Sequence, residues 1–147
     1  MRKMRSGLTM LVAFVVFVLF VPVTGYSEYV GTPGYWAHHS EAWPMTTITM
    51  GGVTYNQDHA IYYMTKPSKG DKTYDMYSHL CAAILNVLNG SDGRCIADVI
   101  AAANEWLAKN LLASDVTGRS LAWEDGEELK NWLDAYNNGE LCAPLRD

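Results

Sequence analysis

The sequence predicts a mainly α-helical fold: a small four-helix domain preceded by an ordered aromatic loop and a short β-hairpin. Along its second half, apolar residues recur at spacings of three and four, as on the buried face of a helix. Glycine or proline follows three of the four predicted helices, at Pro67, Gly90 and Gly139. A Gly51-Gly52 pair separates two short runs of β-prone residues, which favours a hairpin.

The first 25 residues have the pattern of an export signal. Basic residues precede an uncharged apolar run from Leu8 to Val23, and Val23 and Gly25 are small enough for the −3 and −1 positions of a signal peptidase site. We expect cleavage after Gly25 and a single secreted helical domain over residues 26–147. A retained anchor is the alternative, because the run falls just short of the roughly 20 residues that a spanning helix needs.

The net charge of the predicted mature chain excludes some classes of binding partner. Removal of Arg2, Lys3 and Arg5 with the signal would leave eight basic residues against sixteen acidic ones, a net charge of −8. Binding to nucleic acid or to an anionic membrane depends on Lys and Arg contacts with phosphate. The sequence therefore predicts no nucleic-acid partner and, after cleavage, no membrane partner.

The loop and the hairpin come first in the predicted domain. Residues 26–44 lack helical periodicity and carry two glycines and two prolines, so we expect an ordered loop. Residues 46–50 and 53–55 are the strands of the hairpin. Thr54 begins a Thr-Tyr-Asn-Gln sequence with capping-box spacing, which predicts a first helix that ends near Thr65.

Three longer helices follow, over residues 73–89, 95–110 and 124–138. Ser91 or Asp92 is expected to cap the second of these. The buried stripe of the last helix is predicted from the spacing of its apolar residues, which are Leu129, Trp132, Leu133 and Tyr136.

Export would place three cysteines where disulfides form and persist. Cys81 shares a helical face with Tyr77 and Ile84, which predicts a buried thiol. If the last two helices pack antiparallel, the start of one lies beside the end of the other. We therefore predict a disulfide between Cys95 and Cys142.

The stretch TPGYWAHHSEAWP, residues 32–44, concentrates the candidate site residues. Tyr35, Trp36, His39 and Trp43 are open to two roles, ligand binding or anchoring of the loop on the core. Ordering a loop costs about 1 to 2 kcal/mol per residue, and burying large aromatic side chains offsets that cost. We expect anchoring to be their main role, with His39 bonded to a buried carbonyl.

The residue pattern that would indicate a metal site is weak in this sequence. His39, Glu41, Asp58 and His59 are candidate metal ligands, but their spacing matches no zinc motif, and we predict no metal and no cofactor.

Asp75 and His79, four residues apart on a helix, favour a surface ion pair over an acid–base pair. The acidic residues at 124–128 fit the first turn of a helix better than a calcium loop. A sugar-binding platform of Trp and Tyr rings is a further alternative to a core role for these aromatic residues.

Five blocks in order resemble a domain of unknown function found in secreted and surface proteins: TPGYWAHHSEAWP, ITMGGVTY, LNVLNG, CIADVIAAANEWLA and LDAYNNGELC. The usual opening of that family reads Thr-Pro-Gly-Tyr-Trp-Lys-Asn-His-Pro-x-x-Trp-Pro. Tyr35, Trp36, His39, Trp43 and Pro44 fit it, whereas Ala37, His38 and Ser40 replace Lys, Asn and Pro. The resemblance implies location and architecture but no reaction.

We therefore predict a secreted or cell-surface, non-enzymatic binding or structural module. Its expected partner is a cell-wall or surface component, or a second copy of the protein. The alternative is a small secreted metal-dependent hydrolase that uses His39, Glu41, Asp58 and His59.

Overall fold

The computed structural model describes residues 27–147, so the predicted signal peptide and its cleavage site lie outside the described residues. The fold is mainly helical with one hairpin, as predicted, but it has five α-helices instead of four. In sequence order the elements are α1 (Pro33–His38), β1 (Thr47–Met50), β2 (Val53–Asn56), α2 (Gln57–Thr65), α3 (Thr73–Leu88), α4 (Ala97–Lys109) and α5 (Leu121–Asn137). No helix within residues 27–147 is long and apolar enough to cross a bilayer.

The additional helix, α1, lies inside the segment for which a loop was expected. The side-chain oxygen of Thr32 caps it by accepting a hydrogen bond from the Tyr35 backbone N–H at 3.1 Å. Pro33 occupies its first turn, where a missing N–H costs nothing and the fixed φ favours the helix. A short 3-10 turn, Ser40–Ala42, follows. Proline and threonine therefore start a helix here and do not prevent one.

The hairpin matches its prediction closely. β1 and β2 pair antiparallel, and Gly51 and Gly52 have φ of 58° and 80°, the left-handed values that a tight two-residue turn requires. Ile48 and Met50 point into the core. The cap of α2 was predicted wrongly, because Thr54 belongs to β2 and the Asn56 side-chain oxygen accepts from the His59 N–H at 2.8 Å.

Helix α3 is the centre of the fold and packs against α5, α2 and α4. Its range agrees with the prediction to within one residue. Helix α4 has no side-chain cap, so the prediction of Ser91 or Asp92 there was wrong. Asp92 instead accepts from the Arg94 N–H at 3.0 Å, within the loop that precedes the helix.

Helix α5 begins at Leu121, three residues earlier than expected, and Ser120 caps it. Leu133 and Tyr136 are buried as predicted, but Trp132 is 49% exposed. Consecutive residues on a helix point about 100° apart. The face of α5 that packs on the core is therefore centred on Leu133, and Trp132 turns towards solvent.

The predicted disulfide between Cys95 and Cys142 is present and joins the start of α4 to the segment after α5. Cys81 is a free, fully buried cysteine on α3, as predicted. The disulfide fixes the C-terminal tail, residues 140–147, which becomes part of the candidate site.

Candidate functional site

The two tryptophans of the aromatic segment, residues 32–44, are core residues. Trp36 is fully buried, and its Nε1 donates to the side-chain oxygen of Asn86 at 2.8 Å. Trp43 is 8% exposed, and its Nε1 donates to the Trp36 carbonyl at 2.9 Å. The Tyr35 ring meets Trp36 edge to face with centroids 5.2 Å apart. Both indoles therefore pack in the core, the Trp36 hydrogen bond ties the segment to Asn86, and the Trp43 hydrogen bond closes the segment on itself.

Asn86, in the last turn of α3, is the polar residue that holds this segment. It is fully buried. Its Oδ1 accepts from the Gly31 N–H at 2.6 Å and from Trp36 Nε1 at 2.8 Å. Its Nδ2 donates to the Gly31 carbonyl at 2.9 Å and to Asn137 Oδ1 at 3.0 Å. An amide side group offers two donors and two acceptor sites, so Asn86 is fully satisfied.

The network continues into α5. Asn137 is also fully buried, and its Nδ2 donates to the His79 backbone carbonyl at 3.0 Å. The pair Asn86–Asn137 therefore joins α3, α5 and the segment before α1 through buried hydrogen bonds. Sequence reasoning missed both residues, although an asparagine inside an apolar helix was a signal that it could have used.

His39 contributes less than expected. It is exposed, with Nδ1 2.8 Å from the Tyr35 carbonyl at the end of α1, and its ring stacks on the Tyr35 ring at 4.3 Å. The expected bond to a carbonyl exists, but it lies at an exposed helix end.

The four candidate metal ligands do not form a cluster. His39 and Glu41 flank the start of the 3-10 turn, whereas Asp58 and His59 are exposed in the first turn of α2. Among residues 27–147, no three His, Cys, Asp or Glu side chains converge in a way that could hold a metal ion.

Asp75 and His79 do not pair with each other either. Lys72 Nζ is 3.0 Å from Asp75 Oδ2, whereas His79 Nδ1 lies 3.6 Å from Asp134 Oδ1 on α5. Burial lowers the pKa of His79 below its ordinary value, against the opposing effect of the Asp134 carboxylate. Asp75 and His79 do lie four residues apart on one helix, as predicted. Each nevertheless contacts another partner, Lys72 for Asp75 and Asp134 for His79.

A groove of about 730 Å³ opens beside the aromatic segment. Its walls come from the aromatic segment, the end of α3 and the C-terminal tail. The side chains that decide its chemistry are Tyr35, Trp43, Met45, Leu88, Glu41 and Arg146. The surface is therefore partly aliphatic, with one acidic and one basic group.

The C-terminal tail is held in place along one wall. Val30 N–H donates to the Pro144 carbonyl at 2.8 Å, and Arg146 N–H donates to the Val30 carbonyl at 2.9 Å. Gly139 has φ of 74°, and a Cβ there would collide with the backbone of Leu145. These contacts and the disulfide fix the position of Arg146, which sequence reasoning did not select.

Comparison with known proteins gives no relative from which a function could be taken. No family model, no curated protein and no solved structure matches this sequence. The resemblance of its motifs to a domain of secreted and surface proteins stays a prediction.

Proposed function

We propose that this protein is a secreted or cell-surface, non-enzymatic binding module whose ligand occupies the groove beside the aromatic segment. The observation that carries the proposal is a groove of about 730 Å³, whose walls are held by buried hydrogen bonds and by the disulfide. A preformed cleft that combines apolar walls with a few polar groups is the usual form of a binding site. Pre-organisation reduces the ordering that binding would otherwise require.

The wall formed by the aromatic segment is rigid because Trp36 and Gly31 both bond to Asn86. Trp43 extends this anchoring to the edge of the groove. The aromatic residues thus build the site, and their partly exposed neighbours Met45 and Leu88 supply contact surface. Anchoring and binding are then two roles of one segment.

Export is proposed on two features. The N-terminal sequence has basic residues followed by an apolar run, and the Cys95–Cys142 disulfide belongs to the kind that persists in oxidising compartments. We expect protein recovered from the medium to begin at or within a few residues of Tyr26, measured by N-terminal mass analysis. An intact Met1 end in membrane fractions would show an anchor instead.

A paired substitution tests the groove. Leu88 is 39% exposed and lines the groove, whereas Leu121 is 83% exposed on α5 and does not line it. Leu88→Glu should reduce binding of the fluorescently labelled protein to intact producing cells at least about tenfold, since it replaces an apolar contact with a charged group that is costly to remove from water. Leu121→Glu, the matched control, should bind like the parent. Equal binding by both variants would contradict the groove as the site.

The partner is a wall or surface component or a second copy of the protein. Sedimentation equilibrium of the parent and Leu88→Glu proteins distinguishes these two. A dimer that Leu88→Glu dissociates would identify the second copy. For the alternative function, a metal-dependent hydrolase, no observation among the described residues favours a centre at His39, Glu41, Asp58 and His59.

A further inference from the structure

Resting on the proposed binding function, we propose that Arg146 is the specificity-determining residue of the groove and binds a carboxylate of a peptide or protein ligand. The carboxylate can come from an acidic residue of the ligand or from the ligand's own C-terminus. The aliphatic wall at Met45 and Leu88 then takes the neighbouring apolar side chain of the ligand.

Among residues 27–147, no carboxylate lies within ion-pair distance of the Arg146 guanidinium. The ion pairs within residues 27–147 involve Lys72, His79 and Arg94, and none involves Arg146. Its Nε is buried and has no hydrogen-bond partner in the part of the chain that the structure describes. A positive charge whose inner edge is removed from water interacts more strongly with an incoming anion than a fully hydrated one does. The planar guanidinium also suits the two oxygens of a carboxylate.

The same guanidinium is held ready for a ligand. Its carbon Cζ lies 4.8 Å from the centroid of the Tyr35 ring, and the Arg146 backbone is bonded to Val30. Stacking on an aromatic ring restricts an otherwise flexible side chain. Less side-chain entropy is therefore lost when the carboxylate binds.

A peptide fits the groove better than a polysaccharide does. Sugars stack on open aromatic faces, but the Tyr35 ring is already stacked with His39 at 4.3 Å and contacted by Arg146. Trp43 is only 8% exposed. Glu41 lies on the same groove, and the described residues include more acidic than basic ones. The Glu41 carboxylate and the excess of acidic residues would both repel a polyanion. A single ligand carboxylate beside an apolar side chain can instead contact Arg146 and Leu88 at the same time.

The probes are pools of N-acetylated hexapeptides made from Ala, Leu, Val, Ser and Gln. One pool has a free C-terminal carboxylate, the second is amidated, and the third is amidated with one central Glu. The ¹⁵N- and methyl-labelled protein, used as recovered from the producing cells, reports groove occupancy through the Trp43 indole N–H and the Leu88 methyl groups. The Arg146 Nε–H, next to the outer nitrogens that would bind the carboxylate, reports changes at the guanidinium.

We expect at least one carboxylate pool to shift the groove resonances at a concentration about tenfold or more below that of the amidated pool. Which of the two does so identifies the source of the carboxylate. Arg146→Gln should abolish the difference, Arg146→Lys should restore part of it, and Arg119→Gln should leave it unchanged. Arg119 is an exposed arginine that does not line the groove.

Equal shifts from the amidated pool, or a difference that survives in Arg146→Gln, would overturn carboxylate recognition while leaving the groove as a binding site. Shifts from an oligomer of uronic acid, with none from any peptide, would overturn the peptide assignment. A result in which no pool shifts the groove resonances also overturns it. The binding function itself is judged separately by the cell-binding comparison of Leu88→Glu with Leu121→Glu.

Discussion

Replacement of Asn86 by alanine tests the network that fixes the aromatic segment. The substitution removes four buried hydrogen bonds, two accepted by Oδ1 and two donated by Nδ2. It leaves the Trp36 indole N–H, both polar groups of the Gly31 backbone and the Asn137 oxygen without their partner. All of these groups are removed from bulk water by the surrounding helices.

Each hydrogen bond of this kind contributes about 1 kcal/mol net, and a buried group that loses its partner costs about 1 to 3 kcal/mol. Four bonds at the lower figure give about 4 kcal/mol of lost unfolding free energy. A domain of this size has a total stability of roughly 5 to 15 kcal/mol. Asn86→Ala should therefore lose a large fraction of the stability. The loss comes from hydrogen bonds, because the substitution removes little apolar contact area.

Urea unfolding with the disulfide intact, followed by far-UV circular dichroism, measures the loss. Asn138→Ala is the matched control, because Asn138 is exposed and its side chain, among the described residues, bonds to Asp134 alone. It should change stability by less than about 0.5 kcal/mol. Hydrogen exchange of the Trp36 indole N–H should accelerate in Asn86→Ala alone. An Asn86→Ala protein within about 1 kcal/mol of the parent, with that N–H still protected, would show that Asn86 does not hold the aromatic segment.

Four further predictions concern the core, the disulfide, the free cysteine and pH. Trp36→Ala should cost about 3 to 5 kcal/mol in urea unfolding, and His39→Ala less than about 1 kcal/mol, because only the first is buried. Reduction of the disulfide, which joins residues 47 apart, should cost about 4 kcal/mol in the same assay. The Cys81 thiol should resist alkylation, followed by mass spectrometry, until the protein unfolds, since burial raises its pKa. Burial also lowers the pKa of His79, so the folded state binds fewer protons and stability should fall as pH drops below about 6.5. Melting curves from pH 7 to 5 should show this fall, and His79→Gln should flatten it.

Several of these predictions have a measurable result that would contradict them. Similar losses in the Trp36→Ala and His39→Ala proteins would mean that His39 carries the segment. Rapid alkylation of native Cys81 would contradict its burial. The charged groups near His79 are Asp75, Lys130 and Asp134. A stability that rises on acidification would show that the two carboxylates outweigh burial.

The hairpin and the longer helices could be predicted because their signals are local. Two glycines adopt the left-handed turn, and α3 keeps its apolar spacing along its length. The cap of α2 could not be read in the same way, because Thr54 pairs with Thr49 across the hairpin and is thereby taken from the helix. Which residue caps a helix depends on whether a neighbouring strand or turn also uses that residue. A short stretch of sequence does not show this.

The candidate site was predictable only in part. The disulfide followed from antiparallel helices, and the size of Trp36 and Trp43 favoured anchoring. Asn86 was missed because its partners are 50 and more residues away in sequence. Arg146 was missed because its importance arises from a ring in α1 and from the tail that positions it. Contacts between residues so far apart in the chain produce no periodic pattern in the sequence.

Photo-crosslinking on intact producing cells shows whether the groove beside the aromatic segment binds a surface partner. A photoreactive residue at position 88 lies in the groove, and one at position 121 lies on the exposed face of α5. We expect a discrete cross-linked species from position 88, lost when Arg146 is also replaced by Gln, and none from position 121. The same products from both positions, or products from position 121 alone, would contradict binding at the groove.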